Sequence, residues 1–153
     1  MSETTPKKAY LSSALQCKCP RCREGDLFKN PTRLSYKGNL DMHPECPVCG
    51  QPTEIEVGFY YGTGYVSYAL TVALTVSTLV AWWVLIGFST EDNRFFWWLG
   101  TNAVLLVLLQ PWLMRLSRSF WISWFVSYDP DWASHQLTEE DFERVNKDQS
   151  SNW

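Results

Sequence analysis

GYVSYALTVALTVSTLVAWWVLIGF, residues 64–88, holds no charged side chain in 25 positions. The uncharged stretch around it runs from Val57 to Thr90. A hydrocarbon core of about 30 Å needs about 20 helical residues, so this segment can span a bilayer with some tilt. Glu91, Asp92, Asn93 and Arg94 form a short polar turn, and residues 95–114 are a second uncharged run, closed by Arg115 and Arg118. Two such helices need more covering core than a chain of 153 residues can supply. A transmembrane hairpin is therefore expected, with spans at about 64–88 and 95–114. The mean hydropathy of -0.20 averages this hairpin with polar flanks.

Aromatic residues gather where membrane interfaces should lie: Trp82 and Trp83, Phe95 to Trp98, and Trp112. Beyond Arg118, residues Phe120, Trp121, Trp124, Phe125 and Tyr128 recur at helical spacing, so 115–128 reads as a helix along the headgroup layer or packed on the N-terminal module. Arg115, Arg118, Trp121 and Trp124 are its expected membrane-surface residues. The two arginines after the second span, against one arginine and two acids in the turn, place both termini in the cytoplasm. Residues 1–10 have no apolar stretch after their lysines, so no cleavable signal is expected.

Ala69, Ala73, Ser77 and Ala81 fall four residues apart and form a small-residue stripe suited to close helix packing. In an antiparallel hairpin, Asn102 should lie level with Ala81 or Thr78, and Gln110 near Thr71 or Thr75. These residues are expected to join the two helices or to meet another membrane subunit. Neither span contains Asp, Glu, Lys, Arg or His, which argues against an ion or proton path within this chain.

The N-terminal third carries Cys19-Pro20-Arg21-Cys22 and, 23 residues later, Cys46-Pro47-Val48-Cys49-Gly50. Two Cys-x-x-Cys pairs wrap four thiolates around one tetrahedral zinc ion, and four thiolates leave no open position for catalysis. Each proline fixes a turn, and Gly50 supplies the positive φ that closes one. Residues 17–57 are thus expected to form a small β-rich zinc ribbon after a flexible N-terminus at 1–16. Leu27, Phe28, Leu34, Tyr36, Ile55 and Val57 are its expected packing residues. Cys17 and His43 stay outside the ligand set. A redox dithiol is the rival reading of either pair.

Eight basic residues between Lys7 and Lys37 are largely offset by Asp41, Glu45, Glu54 and Glu56, and no aromatic stacking platform accompanies them. Nucleic acid is not an expected partner; anionic headgroups are. Residues 129–153 form an acidic cytoplasmic tail, in which Thr138 caps a short helix to about Asn146 and the end is disordered.

Cys-Pro-Arg-Cys followed by Gly25-Asp26-Leu27-Phe28, Cys-Pro-Val-Cys-Gly, Gly58-Phe59-Tyr60-Tyr61-Gly62 running into Tyr65 to Leu70, and Arg115-Leu116-Ser117-Arg118 occur in one order. From Cys19 to Tyr128 the chain resembles the bacterial membrane family named Domain of Unknown Function 983. The resemblance implies a zinc-ribbon protein of the inner membrane and, through genes that neighbour family members, a tie to haem-copper oxidase assembly. The residues and the resemblance together favour a non-enzymatic accessory protein. Its ribbon would dock a cytoplasmic partner, and its hairpin would pack on a larger membrane complex or on a second copy. The alternatives are a membrane-tethered thiol oxidoreductase and a zinc sensor.

Overall fold

A computed structural model describes residues 9–30, 37–87, 92–135 and 137. Leu34, Tyr36, the expected helix from Thr138 to Asn146 and the rest of the expected tail to residue 153 lie outside them, as do the first eight residues. Among the described residues three α-helices make the frame: α1 (Tyr10–Leu15), α2 (Thr63–Ile86) and α3 (Arg94–Phe125). A 3₁₀ turn at Phe59–Gly62 leads straight into α2.

At about 1.5 Å per residue, the 24 residues of α2 span about 36 Å. Both long helices are apolar enough to cross a bilayer, and none of the apolar window of α2 is buried by the protein itself. Hydroxyls on α2 have no water to bond in such a setting, and they bond backward instead. Thr71 donates to the Ser67 carbonyl at 2.8 Å and Thr75 to the Thr71 carbonyl at 2.9 Å. Ser77 donates to the Ala73 carbonyl at 2.7 Å. This satisfies each polar group within its own helix.

Thr78 closes the hairpin by donating to Asn102 Oδ1 at 2.9 Å, the pairing expected from the helix register. The small-residue stripe does not share this seam. Ala69, Ala73, Ser77 and Ala81 are all exposed, because the face of α2 toward α3 carries Val66, Leu70, Leu74 and the threonines. Gln110 is also exposed and borders a crevice with Asn39 and Pro111.

α3 is about 48 Å long, some 18 Å more than a bilayer core requires. The segment expected as a separate helix at 115–128 is the continuation of α3 to Phe125. Of its buried residues, Leu116 and Ile122 pack in one core with Cys17, Cys19, Cys22, Leu27, Phe28 and Cys46 of the module. The expectation of a β-rich ribbon is corrected here. Among the described residues there is no strand, only isolated bridges between Lys18 and Asp26, Phe28 and Met42, and Glu45 and Pro52. Pro20, Pro44, Pro47 and Pro52 lack the N–H that a ladder uses.

Candidate metal centre

Each cysteine pair is a tight turn held by its own backbone. The Arg23 N–H donates to the Cys19 carbonyl at 2.8 Å, and the Gly50 N–H to the Cys46 carbonyl at 2.9 Å. Arg23 and Gly50, each directly after its pair, have φ of 58° and 71°. The left-handed step turns the chain back so that both sulfurs of a pair point the same way. Cys19 N–H then bonds the Gly25 carbonyl at 2.8 Å, and Cys46 N–H bonds the Gln51 carbonyl at 2.7 Å. The two halves are built alike although residue 23 is not glycine.

The turns face each other and bring Cys19, Cys22, Cys46 and Cys49 together with all sulfurs within 4.8 Å of one another. Between the pairs, Cys19 Sγ lies 3.7 Å from Cys49 Sγ and Cys22 Sγ lies 3.8 Å from Cys46 Sγ. A tetrahedral ion with sulfur bonds of about 2.3 Å sets its ligands about 3.8 Å apart. The donor set therefore fits a metal ion. Cys19 is wholly buried, Cys22 and Cys46 nearly so, and only Cys49 is partly open.

The sulfurs cannot all be charged without a cation. The hydrogen bond with Cys19 is the main influence lowering Cys22, and it also lowers Cys46, to about 6. Cys19 is raised, chiefly by its bond with Cys22. Cys49 is lowered by Cys19 but raised overall by Cys22 and Cys46. An incoming cation would expel the protons that the cluster retains.

Gly25 makes the close approach possible, since a Cβ there would stand 2.3 Å from Cys46 Sγ. Cys17, outside the cluster as expected, is buried in the adjoining core with φ of 58°. His43 borders the module's crevices rather than the cluster.

The module is fastened to α3 by side chains that reach across the sequence. Arg115, 2% exposed, donates Nε to the Asn39 carbonyl at 2.8 Å and Nη2 to the Asn30 carbonyl at 2.7 Å. Its guanidinium lies 4.8 Å from the Phe28 ring centre. Asn39 Nδ2 donates to the Pro111 carbonyl at 2.6 Å, Arg118 Nη1 to the Leu40 carbonyl at 3.0 Å, and Ser119 to the Ala14 carbonyl at 2.8 Å. Trp121 donates to the Phe59 carbonyl at 2.8 Å and packs over Gly62. Of the four expected membrane-surface residues, Arg115 is enclosed by protein, Arg118 and Trp121 are half-buried, and Trp124 is exposed.

The chain after α3 returns over the module. Asp129 N–H donates to the Arg21 carbonyl at 3.1 Å. Arg21, buried inside the first turn, donates Nη2 to the His135 carbonyl at 2.8 Å and lies 3.4 Å from the Asp129 carboxylate. Arg23 stacks 3.9 Å from the Tyr128 ring centre, and Leu137 meets Gly50 of the second turn. Burial would raise the Asp129 carboxyl, but hydrogen bonds from His135, Asp131 and Arg21 hold it below the usual carboxylate value. Sequence patterns point to the four ligands. They give no sign of these fastenings, apart from an arginine placed unusually between two ligands.

The family described as Protein of unknown function (DUF983) matches residues 36–126, more than half of the chain. The chain belongs to this family. The DUF983 region holds both long helices and the pair Cys46 and Cys49, while Cys19 and Cys22 precede it. Half of the metal centre is thus contributed from outside the matched region. No curated protein and no solved structure shows a match to the chain.

Proposed function

We propose that this DUF983 protein is a non-enzymatic accessory or assembly protein of the bacterial cytoplasmic membrane, with both termini in the cytoplasm. A zinc ion held by Cys19, Cys22, Cys46 and Cys49 organises its soluble module. The hairpin packs against a larger membrane complex, for which the family's gene neighbours suggest a respiratory oxidase. The observation that carries this reading is the union of a closed four-sulfur centre with a module clamped to the overhang of α3. Such a unit presents a fixed surface and leaves no ligand position for substrate.

Orientation draws support from the same union. The module and residues 115–125 sit at one end of the hairpin, so the basic residues of both belong to one side. A reducing cytoplasm would keep the thiols available to metal. The stripe Ala69, Ala73, Ser77 and Ala81 is turned away from α3 and open to a helix of another subunit. A thiol oxidoreductase would close a disulfide within one Cys-x-x-Cys pair. Here both pairs share one four-sulfur cluster, which supports the non-redox reading.

Affinity purification in mild detergent, with mass spectrometry of co-purifying proteins and zinc measured in the same sample, tests the proposal. A stoichiometric membrane complex is expected, lost on Cys46→Ser with Cys49→Ser. Association that persists in zinc-free protein would refute it.

A further inference from the structure

A crevice of about 990 Å³ opens where the module meets the first turn of the hairpin. Its size suits a small amphiphilic ligand. Arg118 and Lys29 line it with positive charge, and Asp41, Glu45 and Glu54 with negative charge. Among the described residues, none of these five makes an ion pair with another residue. Arg118 makes one hydrogen bond, to the Leu40 carbonyl, and rests 4.8 Å from the centre of the Tyr60 ring. The remaining N–H groups of its fork are available to an acceptor.

Tyr61 forms the lip of the crevice. It is 89% exposed and begins a line with Tyr65 (81%) and Tyr68 (72%), at spacings of four and three residues. Tyr61 lies in the 3₁₀ turn that leads into α2, and Tyr65 and Tyr68, three residues apart on α2, share one of its faces. The polar crevice therefore adjoins an exposed tyrosine track at the start of α2, at the end of the hairpin where Arg115 and Arg118 follow the second uncharged run. A soluble anion would meet three carboxylates against two cations. A zwitterion satisfies both sets, phosphate toward Arg118 and Lys29 and ammonium toward the acids.

We propose that this crevice binds the phosphoethanolamine headgroup of a membrane phospholipid, with the acyl chains lying along the Tyr61–Tyr65–Tyr68 face. The assignment rests on the membrane reading above, and alkaline carbonate extraction is done first to separate the two. Release of the protein by carbonate would refute both. With the protein retained, the purified full chain goes into nanodiscs of equal dioleoyl phosphatidylethanolamine and dioleoyl phosphatidylglycerol, and native mass spectrometry reads the lipids that remain bound. The ethanolamine lipid should be retained about five-fold over the glycerol lipid, the selectivity expected of partly exposed charge pairs. Asp41→Asn with Glu54→Gln, both exposed and outside the core, should bring that ratio to about one while leaving total bound lipid unchanged. Arg118→Gln should lose both lipids. Equal retention by the unaltered protein, or an unchanged ratio in the Asp41/Glu54 variant, would overturn the proposal. So would soluble phosphoethanolamine that binds the detergent-purified protein as tightly as the lipid does.

Discussion

Replacing Arg115 by methionine should free the metal module from the hairpin without dissolving either. The side chain is 2% exposed and supplies donors to two backbone carbonyls, at 2.8 and 2.7 Å, besides covering the Phe28 ring. A hydrogen bond from a charged donor contributes about 1.5–3 kcal/mol, and the abandoned carbonyls stay buried unless the module moves. Methionine restores apolar contact but no donor, so the docked state should lose about 3–5 kcal/mol. That is a factor of at least about 10² in the opening equilibrium. Hydrogen exchange followed by mass spectrometry reads it directly, as faster exchange over residues 37–43 at unchanged exchange through α2. Arg115→Lys should recover less than half of the loss, because a single ammonium does not reproduce the fork that reaches Asn30 and Asn39 together. Exchange in Arg115→Met within about three-fold of the unaltered protein would refute the clamp, since that corresponds to less than about 0.7 kcal/mol.

Gly25→Ala places a methyl 2.3 Å from Cys46 Sγ, and overpacking of about 1–3 kcal/mol should weaken metal retention against a chelator by about 10- to 100-fold; Gly64→Ala, with nothing within 4 Å, should leave it unchanged. Asp129→Asn loosens the return of the chain over Arg21 and should speed metal transfer to a chelator several-fold at neutral pH. The folded-state value of Asp129 is depressed below 3.8, so its contribution is complete above that value and lost only as pH falls further. The rate ratio of variant to unaltered protein should accordingly stay flat between pH 8 and 6, and a ratio that changes there would point to a different group. Thr78→Val, Asn102→Leu and their combination form a cycle whose coupling in detergent unfolding should be about 0.6 kcal/mol; a coupling of zero would show that the 2.9 Å bond does not join the helices.

What the sequence makes legible is whatever depends on local spacing. The two Cys-Pro-x-Cys turns, the uncharged runs and the register that levels Asn102 with Thr78 all follow from short-range geometry, and all appear in the structure. The orientation of the small-residue stripe is not local. Which face of α2 meets α3 is decided by Val66, Leu70, Leu74 and the threonines, whose self-satisfied hydroxyls let them pack as apolar groups. A positive charge after a span reads as a membrane anchor, and Arg118 remains near that boundary. Arg115 is instead drawn inward by carbonyls more than 70 residues away in sequence. No pattern within α3 announces such a partner. The missing strands have the opposite cause. Four prolines and two metal turns leave each arm too short for more than a single bridge, a feature visible in the sequence once counted against the needs of a ladder.

The central claim is that Cys19, Cys22, Cys46 and Cys49 together hold one zinc ion, although only the second pair lies in the matched family region. Metal quantification with X-ray absorption at the zinc edge, on full-length protein purified without added metal, tests it most directly. One zinc per chain with four sulfur neighbours at about 2.3 Å is expected, and no bound zinc after Cys19→Ser with Cys22→Ser. Protein that is metal-free with its cysteines joined as disulfides, or zinc that survives loss of the first pair, would contradict it.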